Sequence, residues 1–280
     1  MRKPSPLPFV LCMLLIAAPL TAQTKGIATF GGLKNLEFVN NYYNGGTGSL
    51  GSGPGRNFPL TFSSNGQVIV SANKGGSGNF INNPGGYPVL FFQTGTSVVF
   101  NAPSGISVGL WFTYSALQPG TATVYDGPNG TGNILASISL TLNNAGCTTY
   151  KMCVWSPVGV PLPATPAGSI RFTGVANNLG INAIHMGVKI PTSIAVVSSQ
   201  NPSALGDSVT FTAAVSATGA APVGTVTFKT GNKVAGTVPV AGGIATLTLS
   251  TLPAGATKIT TIFRGTGFVT STATLTQNVN

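Results

Sequence analysis

Apolar and polar positions alternate with period two in two segments of the chain, and this alternation predicts β-strands. The even-numbered positions from Val108 to Tyr114 are apolar or aromatic, and those from Ile134 to Leu142 are all apolar. Alternation over this length is typical of strands that bury one face. Trp111 lies on the opposite face from its apolar neighbours, so both faces of that strand are expected to be covered. Helical periodicity is absent after the first 22 residues, and the pattern predicts an all-β protein.

The first part of the chain is expected to hold about nine or ten short strands separated by Gly, Asn and Pro turns. The dipeptides Asp126-Gly127 and Asn129-Gly130 are typical of turns between two of these strands. This arrangement predicts a β-sandwich of the jelly-roll kind. The further predicted strands are Gln67–Ala72, Val89–Gln93, Ser97–Asn101, Thr121–Tyr125, Lys151–Ser156, Ser169–Thr173 and Ile181–Val188.

The composition changes near Pro191, where the Trp, Tyr and Cys residues end and Ala, Val, Thr and Ser predominate. Seven strands in ninety residues predict a second, Ig-like sandwich. Its core is expected to contain Phe211, Phe228, Phe263 and Phe268. The predicted strands are Thr192–Ser199, Ser208–Val215, Gly224–Thr230, Lys233–Val240, Gly243–Leu249, Ala256–Phe263 and Ser271–Val279.

The N-terminus has the layout of a secretory signal peptide. Arg2 and Lys3 precede a ten-residue apolar run, Phe9 to Ala18, and Ala22 offers a small residue before a cleavage point. The run is too short to span a bilayer, which needs about 20 apolar residues. We therefore predict a signal peptide at 1–22, a Gly/Asn-rich sandwich at 23–190 and an Ig-like domain at 191–280. The mature chain is expected to be secreted or held at the cell surface, with no membrane span.

Cys147 and Cys153 are the cysteines left after removal of the leader. In an oxidising compartment this close spacing predicts a disulfide. Zinc binding is a poor alternative, because two thiols without a nearby histidine or acid do not complete a tetrahedral site.

Charge is scarce: 6% of the residues are charged, and the acids are Glu37, Asp126 and Asp207. Three acids in distant segments make paired-carboxylate catalysis improbable. One histidine, His185, excludes a His-rich metal site and would have to serve any histidine-based hydrolase. A structural role for His185 is favoured, and the chain is predicted to be non-enzymatic, with no cofactor and no metal.

Two local motifs have simpler interpretations than the sites they resemble. Gly46 to Gly51 matches G-x-G-x-x-G, but the next six residues, Ser52 to Asn57, cannot open a helix and no acid stands about 20 residues on, so a surface loop is expected. The turn at Tyr125 to Thr131 could offer oxygen ligands to calcium, but one carboxylate is few for that cation, and a hairpin turn is favoured.

The mature chain has eleven basic and three acidic residues, a net charge of +8. The basic residues are scattered, whereas nucleic-acid binding needs charge clustered on one face. Nucleic acid is therefore not an expected partner. The excess favours loose contact with anionic envelope polymers.

Several stretches of residues 191–280 form a recognisable pattern: Ser199–Ser203, Gly206–Ala213, Pro222–Phe228, Thr251–Gly255, Ile262–Gly265, Ser271–Ala273 and Leu275–Gln277. Through these stretches, residues 191–280 resemble the bacterial Ig-like repeat domain (group 3 type). The resemblance implies a spacer or adhesive module. One departure is the turn Arg264–Gly267, which lacks the acid often found there in the family, and this speaks against a cation site that depends on it.

A second set of stretches lies in residues 23–190: Phe38, Asn41–Gly46, Val124–Gly127, Gly130–Gly132 and Ile170–Gly174. Through these stretches, residues 23–190 resemble jelly-roll β-sandwich modules of secreted bacterial proteins, including those with export-sorting tails. Asn182 stands where an acid would be expected, and no ligand-binding residue can be carried over from these modules.

A glycan-stacking surface is the candidate site, because aromatic faces and amide side chains suit neutral sugars. Its residues would be Trp111, Tyr114, Trp155 and Tyr87, with Tyr42 and Tyr43 as further aromatics, although most of these could instead belong to the core. The expected function is adhesion or ligand binding, with envelope or extracellular polysaccharide or other surface proteins as partners. The alternative is a structural spacer or matrix component without a specific ligand.

Overall fold

The computed structural model describes residues 23–280, so the predicted signal peptide at 1–22 lies outside the described residues. The described chain is built of strands and three short 3-10 helices, and the all-β prediction is confirmed. None of its helices is long and apolar enough to cross a membrane. The strands before residue 190 are β1 (Gly26–Ala28), β2 (Thr61–Phe62), β3 (Gln67–Ile69), β4 (Val89–Phe91), β5 (Ser97–Ala116), β6 (Gly120–Tyr125), β7 (Ile134–Leu140), β8 (Ser156–Thr173) and β9 (Leu179–Met186).

The nine N-terminal strands are hydrogen-bonded in the order β3-β4-β9-β5-β8-β6-β7, with β1 beside β9 and β2 beside β5. β5 and β8 are 20 and 18 residues long and pair antiparallel from Ser97 opposite Thr173 to Tyr114 opposite Ser156. Their register shifts twice between Asn101 and Val108. Such bulges bend a strand without ending it.

Four strand predictions are corrected by the observed strands. The segments expected as Ser97–Asn101 and Val108–Tyr114 are two parts of β5, because pairing continues past the Pro103-Ser104-Gly105 stretch. The segment expected as Ser169–Thr173 is the last part of β8. The segment Lys151–Ser156 is mostly irregular, and β8 begins only at Ser156. A further difference is Val108 itself, which has φ 72° at the bulge and is exposed, while Leu110, Phe112 and Tyr114 are buried as expected.

The N-terminal core contains fully buried aromatics from both long strands, including Phe100, Phe112 and Phe172. Complete burial of such a side chain contributes roughly 1.5–3 kcal/mol. β7 lies at the edge of the sheet, and its alternation is only partly expressed. Leu140 is fully buried, whereas Ile134 at the start of β7 and Leu142, two residues after its end, are exposed.

The C-terminal strands form two sheets, and all seven predicted strands are present. Their order is β10-β11-β14 in one sheet and β13-β12-β15-β16 in the other. The four expected phenylalanines are all buried in one cluster. The strands are β10 (Thr192–Ser198), β11 (Val209–Ala217), β12 (Thr225–Thr230), β13 (Lys233–Pro239), β14 (Ile244–Leu249), β15 (Gly255–Arg264) and β16 (Ser271–Val279).

The two sandwiches meet in a joint around Ile190, whose side chain is fully buried in the C-terminal core cluster. Its backbone N–H donates to the carbonyl of Gly267 at 2.9 Å, and its carbonyl accepts from the N–H of Val269 at 2.9 Å. The N–H of Gly159 in β8 also donates to the carbonyl of Gly219 at 2.9 Å. Backbone hydrogen bonds on two sides therefore hold the sandwiches together.

Candidate functional site

A groove of about 400 Å³ opens at one edge of the N-terminal sheet. Residues of β3 and β4, the start of β9 and the segment before β9 line it, together with residues of the loop that contains the disulfide. The strands are rich in Val, Ile, Leu and Phe, which favour the pleated, half-buried surface of a sheet. The groove therefore has one rigid wall made of strands and another made of loops.

The predicted disulfide between Cys147 and Cys153 is present, with the two Cα atoms 5.5 Å apart. It closes the loop that carries Lys151 and Met152 to the groove. The Lys151 N–H donates to the Asn79 side-chain oxygen at 2.8 Å, and the Ile81 N–H donates to the Met152 carbonyl at 3.0 Å. Cross-link and hydrogen bonds together hold this loop against the segment Asn79 to Ile81.

The floor of the groove is apolar and its rim is polar. The lining side chains that are buried are Phe80, Val89, Phe91, Met152 and Leu179. The exposed polar ones are Ser77, Asn79, Gln93, Lys151 and Asn177. An apolar cavity with a few convergent polar groups is the usual form of a small-ligand site.

Lys151 is the charged residue in the lining, and no acid or histidine lines the groove. Amide side chains both donate and accept hydrogen bonds, so a rim of Asn and Gln pairs with hydroxyls and amides. The apolar floor can cover the C–H face of the same ligand. The arrangement suits a neutral, hydroxyl-rich ligand.

Two residues that line the groove, Leu36 and Asn177, have left-handed backbones with φ 60° and 63°. This conformation costs a residue such as Leu36 roughly 1–2 kcal/mol, whereas Asn adopts it more readily. Such residues persist where the surrounding contacts hold them, and they cluster at functional sites. The loop wall of the groove is therefore built partly of strained backbone.

Trp111 of the predicted stacking surface lies at the joint of the two sandwiches, half-buried against the C-terminal core cluster. Its ring stacks on His185 of the neighbouring strand, with centroids 3.6 Å apart and an interplanar angle of 12°. Partial burial lowers the pKa of His185. Trp111 thus contacts both the histidine and the second domain.

The other three predicted residues do not join Trp111. Tyr114 is a core residue with 4% of its surface exposed, so the expectation that it faces a ligand is corrected. Trp155 is half-buried near the groove, where its ring packs edge-on against Phe80 and its N–H donates to the Ile81 carbonyl at 2.9 Å. Tyr87 is exposed, beside Gly31 and Gly85. Tyr42 and Tyr43 are buried in the core.

Glu37 has an environment that is typical of functional carboxylates, and the sequence identifies it only as one of three scattered acids. It is fully buried, and its carboxylate accepts hydrogen bonds from the N–H groups of Lys34, Leu50 and Ser52 at 2.7, 2.9 and 3.1 Å. Burial opposes its ionisation, but these hydrogen bonds prevail and lower its pKa. The G-x-G-x-x-G stretch wraps this carboxylate, since a Cβ on Gly48 would lie 2.4 Å from its oxygen.

Asp126 is engaged within its own turn. Its two carboxylate oxygens accept from the backbone and side-chain nitrogens of Asn133 at 2.7 and 2.8 Å, and these hydrogen bonds lower its pKa. Asp207 accepts from Gln200 and Ala204 in the C-terminal domain. In residues 23–280 no three His, Cys, Asp or Glu side chains come together as metal ligands.

Residues 196–280 match the family model of the bacterial Ig-like domain (group 3), which confirms the resemblance found in the sequence. No curated protein matches the chain.

Solved structures with partial likeness include a glycoside hydrolase domain, Endo-D, of Streptococcus pneumoniae R6. It is 12% identical at a TM-score of 0.30, over 90% of this chain and 43% of that one. A β-glucuronidase of Ruminococcus gnavus is 11% identical at a TM-score of 0.24, over 67% of this chain and 37% of that one. The N-terminal domain of a Streptococcus gordonii adhesin is 9% identical at a TM-score of 0.23, over 69% of this chain and 62% of that one. This chain spans less than half the length of the first two.

Proposed function

We propose that this chain is an exported, non-enzymatic binding protein. The groove beside the Cys147–Cys153 loop is the binding site, and the Ig-like domain presents it at the cell envelope or in the extracellular matrix. The observation that carries the proposal is the combination of a buried apolar floor, an exposed amide rim and the absence of acids in the lining. The disulfide and the bacterial Ig-like domain both fit a protein that works outside the cell.

The ligand class that fits the groove is a neutral glycan of the envelope or matrix. Asn79, Gln93 and Asn177 offer donors and acceptors to sugar hydroxyls, and the apolar floor would lie under a sugar ring. Stacking on an exposed aromatic is not part of this site, since Phe80 and Phe91 are buried in the floor.

The placement of the ionisable groups supports a non-enzymatic role. The buried Glu37 carboxylate is occupied by three backbone donors, and His185 is covered by Trp111 at the joint. A general acid or base must reach the reacting group within hydrogen-bond distance. Ser77 is a hydroxyl in the groove lining, and the lining holds no histidine or carboxylate that could act as its general base.

The test is a glycan array and a pull-down from envelope fractions, made with the mature protein and two variants. Gln93→Trp places a bulky ring at the mouth of the groove, and Gln118→Trp makes the same exchange at an exposed position outside the lining. We expect retention to fall at least about tenfold for Gln93→Trp and to stay unchanged for Gln118→Trp, because loss of a small-ligand contact of about 1.4 kcal/mol is tenfold. Absence of retention in both assays would sink the proposal.

A structural spacer is the second candidate, and the placement of the aromatics favours it. Tyr42, Tyr43 and Tyr114 are core residues and Trp111 seals the joint, so aromatic side chains here serve packing. This alternative predicts co-fractionation with wall or matrix material but no saturable ligand. Equal behaviour of wild type, Gln93→Trp and Gln118→Trp would support it.

Export is tested separately by locating the protein in cell fractions and reading its N-terminus. The proposal expects extracellular or surface protein that begins at Gln23. An intact leader on protein inside the cell would contradict it.

A further inference from the structure

A second cavity, of about 580 Å³, lies in the cleft between the two sandwiches. Ser107, Val108 and Leu162 contribute from the first sandwich, and Lys189 contributes from the segment that leads to the joint. The opposite wall is the turn Arg264–Gly267 with Thr270. This cleft is separate from the groove, whose lining shares no residue with it.

The walls of the cleft are held in place by the joint. The Ile190 N–H donates to the Gly267 carbonyl, and the Val269 N–H donates to the Ile190 carbonyl, both at 2.9 Å. A Cβ on Gly267 would lie 2.8 Å from Cβ of Pro161 in β8, and its φ of 80° also favours glycine. The turn therefore packs against the first sandwich at a distance that leaves no room for a side chain at Gly267, and the cleft is formed before any ligand enters.

Two cations line this cleft, Lys189 on one side and Arg264 on the other. Both side chains are exposed. The three acids of the mature chain lie elsewhere, each hydrogen-bonded to backbone or amide groups: Glu37 and Asp126 in the first sandwich and Asp207 in the loop before β11. The positive charge in the cleft therefore has no acidic counterpart within the lining.

The remaining polar groups of the cleft are hydroxyls. Ser107, Thr266 and Thr270 line it, and a hydroxyl can donate to an oxyanion as well as pair with a sugar hydroxyl. Lys and Arg side chains offer donors only, and hydrogen bonds from them to carboxylate or phosphate are stronger than neutral ones. Val108 and Leu162 add apolar surface beside the two cations.

We propose that the cleft between the sandwiches binds an acidic glycan through its carboxylate or phosphate groups, with Lys189 and Arg264 as the charged contacts. Ser107, Thr266 and Thr270 hydrogen-bond the neighbouring hydroxyls of the same chain. This site is independent of the neutral-ligand groove, so each can fail without the other.

The experiment compares two double variants with equal loss of charge. Lys189→Gln with Arg264→Gln removes both cations of the cleft, and Lys233→Gln with Lys258→Gln removes two exposed cations of the Ig-like domain outside the cleft. Binding of the mature protein to immobilised alginate, phosphomannan and neutral dextran is measured at about 150 mM salt, where nonspecific attraction between distant surface charges is screened. Thermal unfolding of both variants is compared with that of wild type, and only variants with a wild-type transition are used.

We expect the cleft variant to lose roughly tenfold or more in affinity for alginate, phosphomannan or both, and the control variant to lose less than about twofold, because charged hydrogen bonds act only at contact distance. A loss on alginate alone assigns carboxylate as the recognised group, and a loss on phosphomannan alone assigns phosphate. The proposal would be overturned by equal losses of affinity in both variants or by no binding of wild type to either acidic glycan. Wild type that bound neutral dextran as tightly as the acidic glycans would also overturn it.

Discussion

The two sandwiches of this chain differ most in the regularity of their backbones. Within residues 23–280, every non-glycine residue with a left-handed φ lies in the first sandwich, and the Ig-like domain has none. The Ig-like strands begin and end within one or two residues of the predicted positions. The left-handed residues are Phe30, Leu36, Asn40, Pro59, Asn82, Val108, Asn129, Asn177 and Ala183.

This difference shows where the chain departs from simple strand-and-turn structure, and why. Three of the left-handed residues line the two candidate sites: Leu36 and Asn177 the groove, and Val108 the interdomain cleft. A regular sheet has flat faces, whereas bulges and left-handed residues bend it and open concave surfaces. The irregular sandwich therefore carries both candidate sites, and the regular one contributes a wall to one of them.

The two domains also differ in what fills their interiors. The Ig-like core has an apolar cluster around four phenylalanines, and its fully buried polar residues, Thr261 and Gln277, are uncharged. The first sandwich adds the fully buried Glu37 carboxylate with its three backbone donors. We expect the first domain to respond to pH through this group and the second to respond mainly to loss of apolar volume.

The largest expected effect is that of Phe228→Ala in the Ig-like core. Phe228 is 1% exposed, and truncation of a buried Phe costs about 3–5 kcal/mol in the free energy of unfolding. The measurement is urea unfolding followed by circular dichroism. Val234→Ala, at an exposed position in the same domain, is expected to change stability by less than about 0.5 kcal/mol. Similar costs for the two variants would refute the view that this domain depends on a single apolar cluster.

An intermediate effect is expected for Glu37→Gln in the first sandwich. The amide group keeps the shape but points a donor at one of the backbone N–H groups, and loss of hydrogen bonds to a charged group costs about 1.5–3 kcal/mol. Asp207→Asn in the Ig-like domain is the control, since that carboxylate makes two contacts in a surface loop. Its cost is expected to be about 1 kcal/mol or less.

The pH dependence of the same variant sharpens the comparison. The pKa of Glu37 is lowered in the folded chain from its ordinary value of 4.5. A lowered pKa means that ionised Glu37 stabilises the fold above about pH 4.5, and that this contribution is lost as the pH falls through the folded-state pKa. Wild type should lose stability in that range, and Glu37→Gln should lose less. Parallel curves would contradict the assignment.

The smallest effect is expected for His185→Phe at the joint. Burial lowers the pKa of His185 below its ordinary value of 6.5, so the folded chain binds the proton less readily than the unfolded chain. The stability of wild type should therefore decline as the pH falls below 6.5, before Glu37 titrates. Phenylalanine keeps a ring on Trp111 and removes the proton site. Unfolding measured from pH 7 to pH 5 should be flatter in the variant, and a curve as steep as that of wild type would count against the assignment.

Local patterns were sufficient to predict the parts of the fold that depend on local order. Alternation and turn residues predict the seven Ig-like strands, and the spacing of Cys147 and Cys153 predicts their bond. The continuity of β5 was missed because Pro103, Ser104 and Gly105 are typical of a turn. Only the pairing with β8 on both sides of that stretch makes it one strand.

The candidate sites depend on contacts between distant segments, and sequence patterns do not report those. The phase of Trp111 indicates that something covers the second face of its strand, but the cover is another domain. Glu37 takes two of its partners, Leu50 and Ser52, from a loop whose turn geometry brings them back. Lys189 and Arg264 are 75 positions apart and meet only because the joint docks the sandwiches.

The joint at Ile190 has a mechanical consequence. The N–H and the carbonyl of Ile190 are both hydrogen-bonded to the Gly267–Val269 stretch, and its side chain is part of the Ig-like core. Ile190 is therefore not free to act as a hinge. We expect the Ig-like domain to act as a lever arm. Any rotation imposed on it is passed to the groove as rotation of the whole molecule, and any torque that separates the sandwiches must first break the hydrogen bonds that shape the cleft.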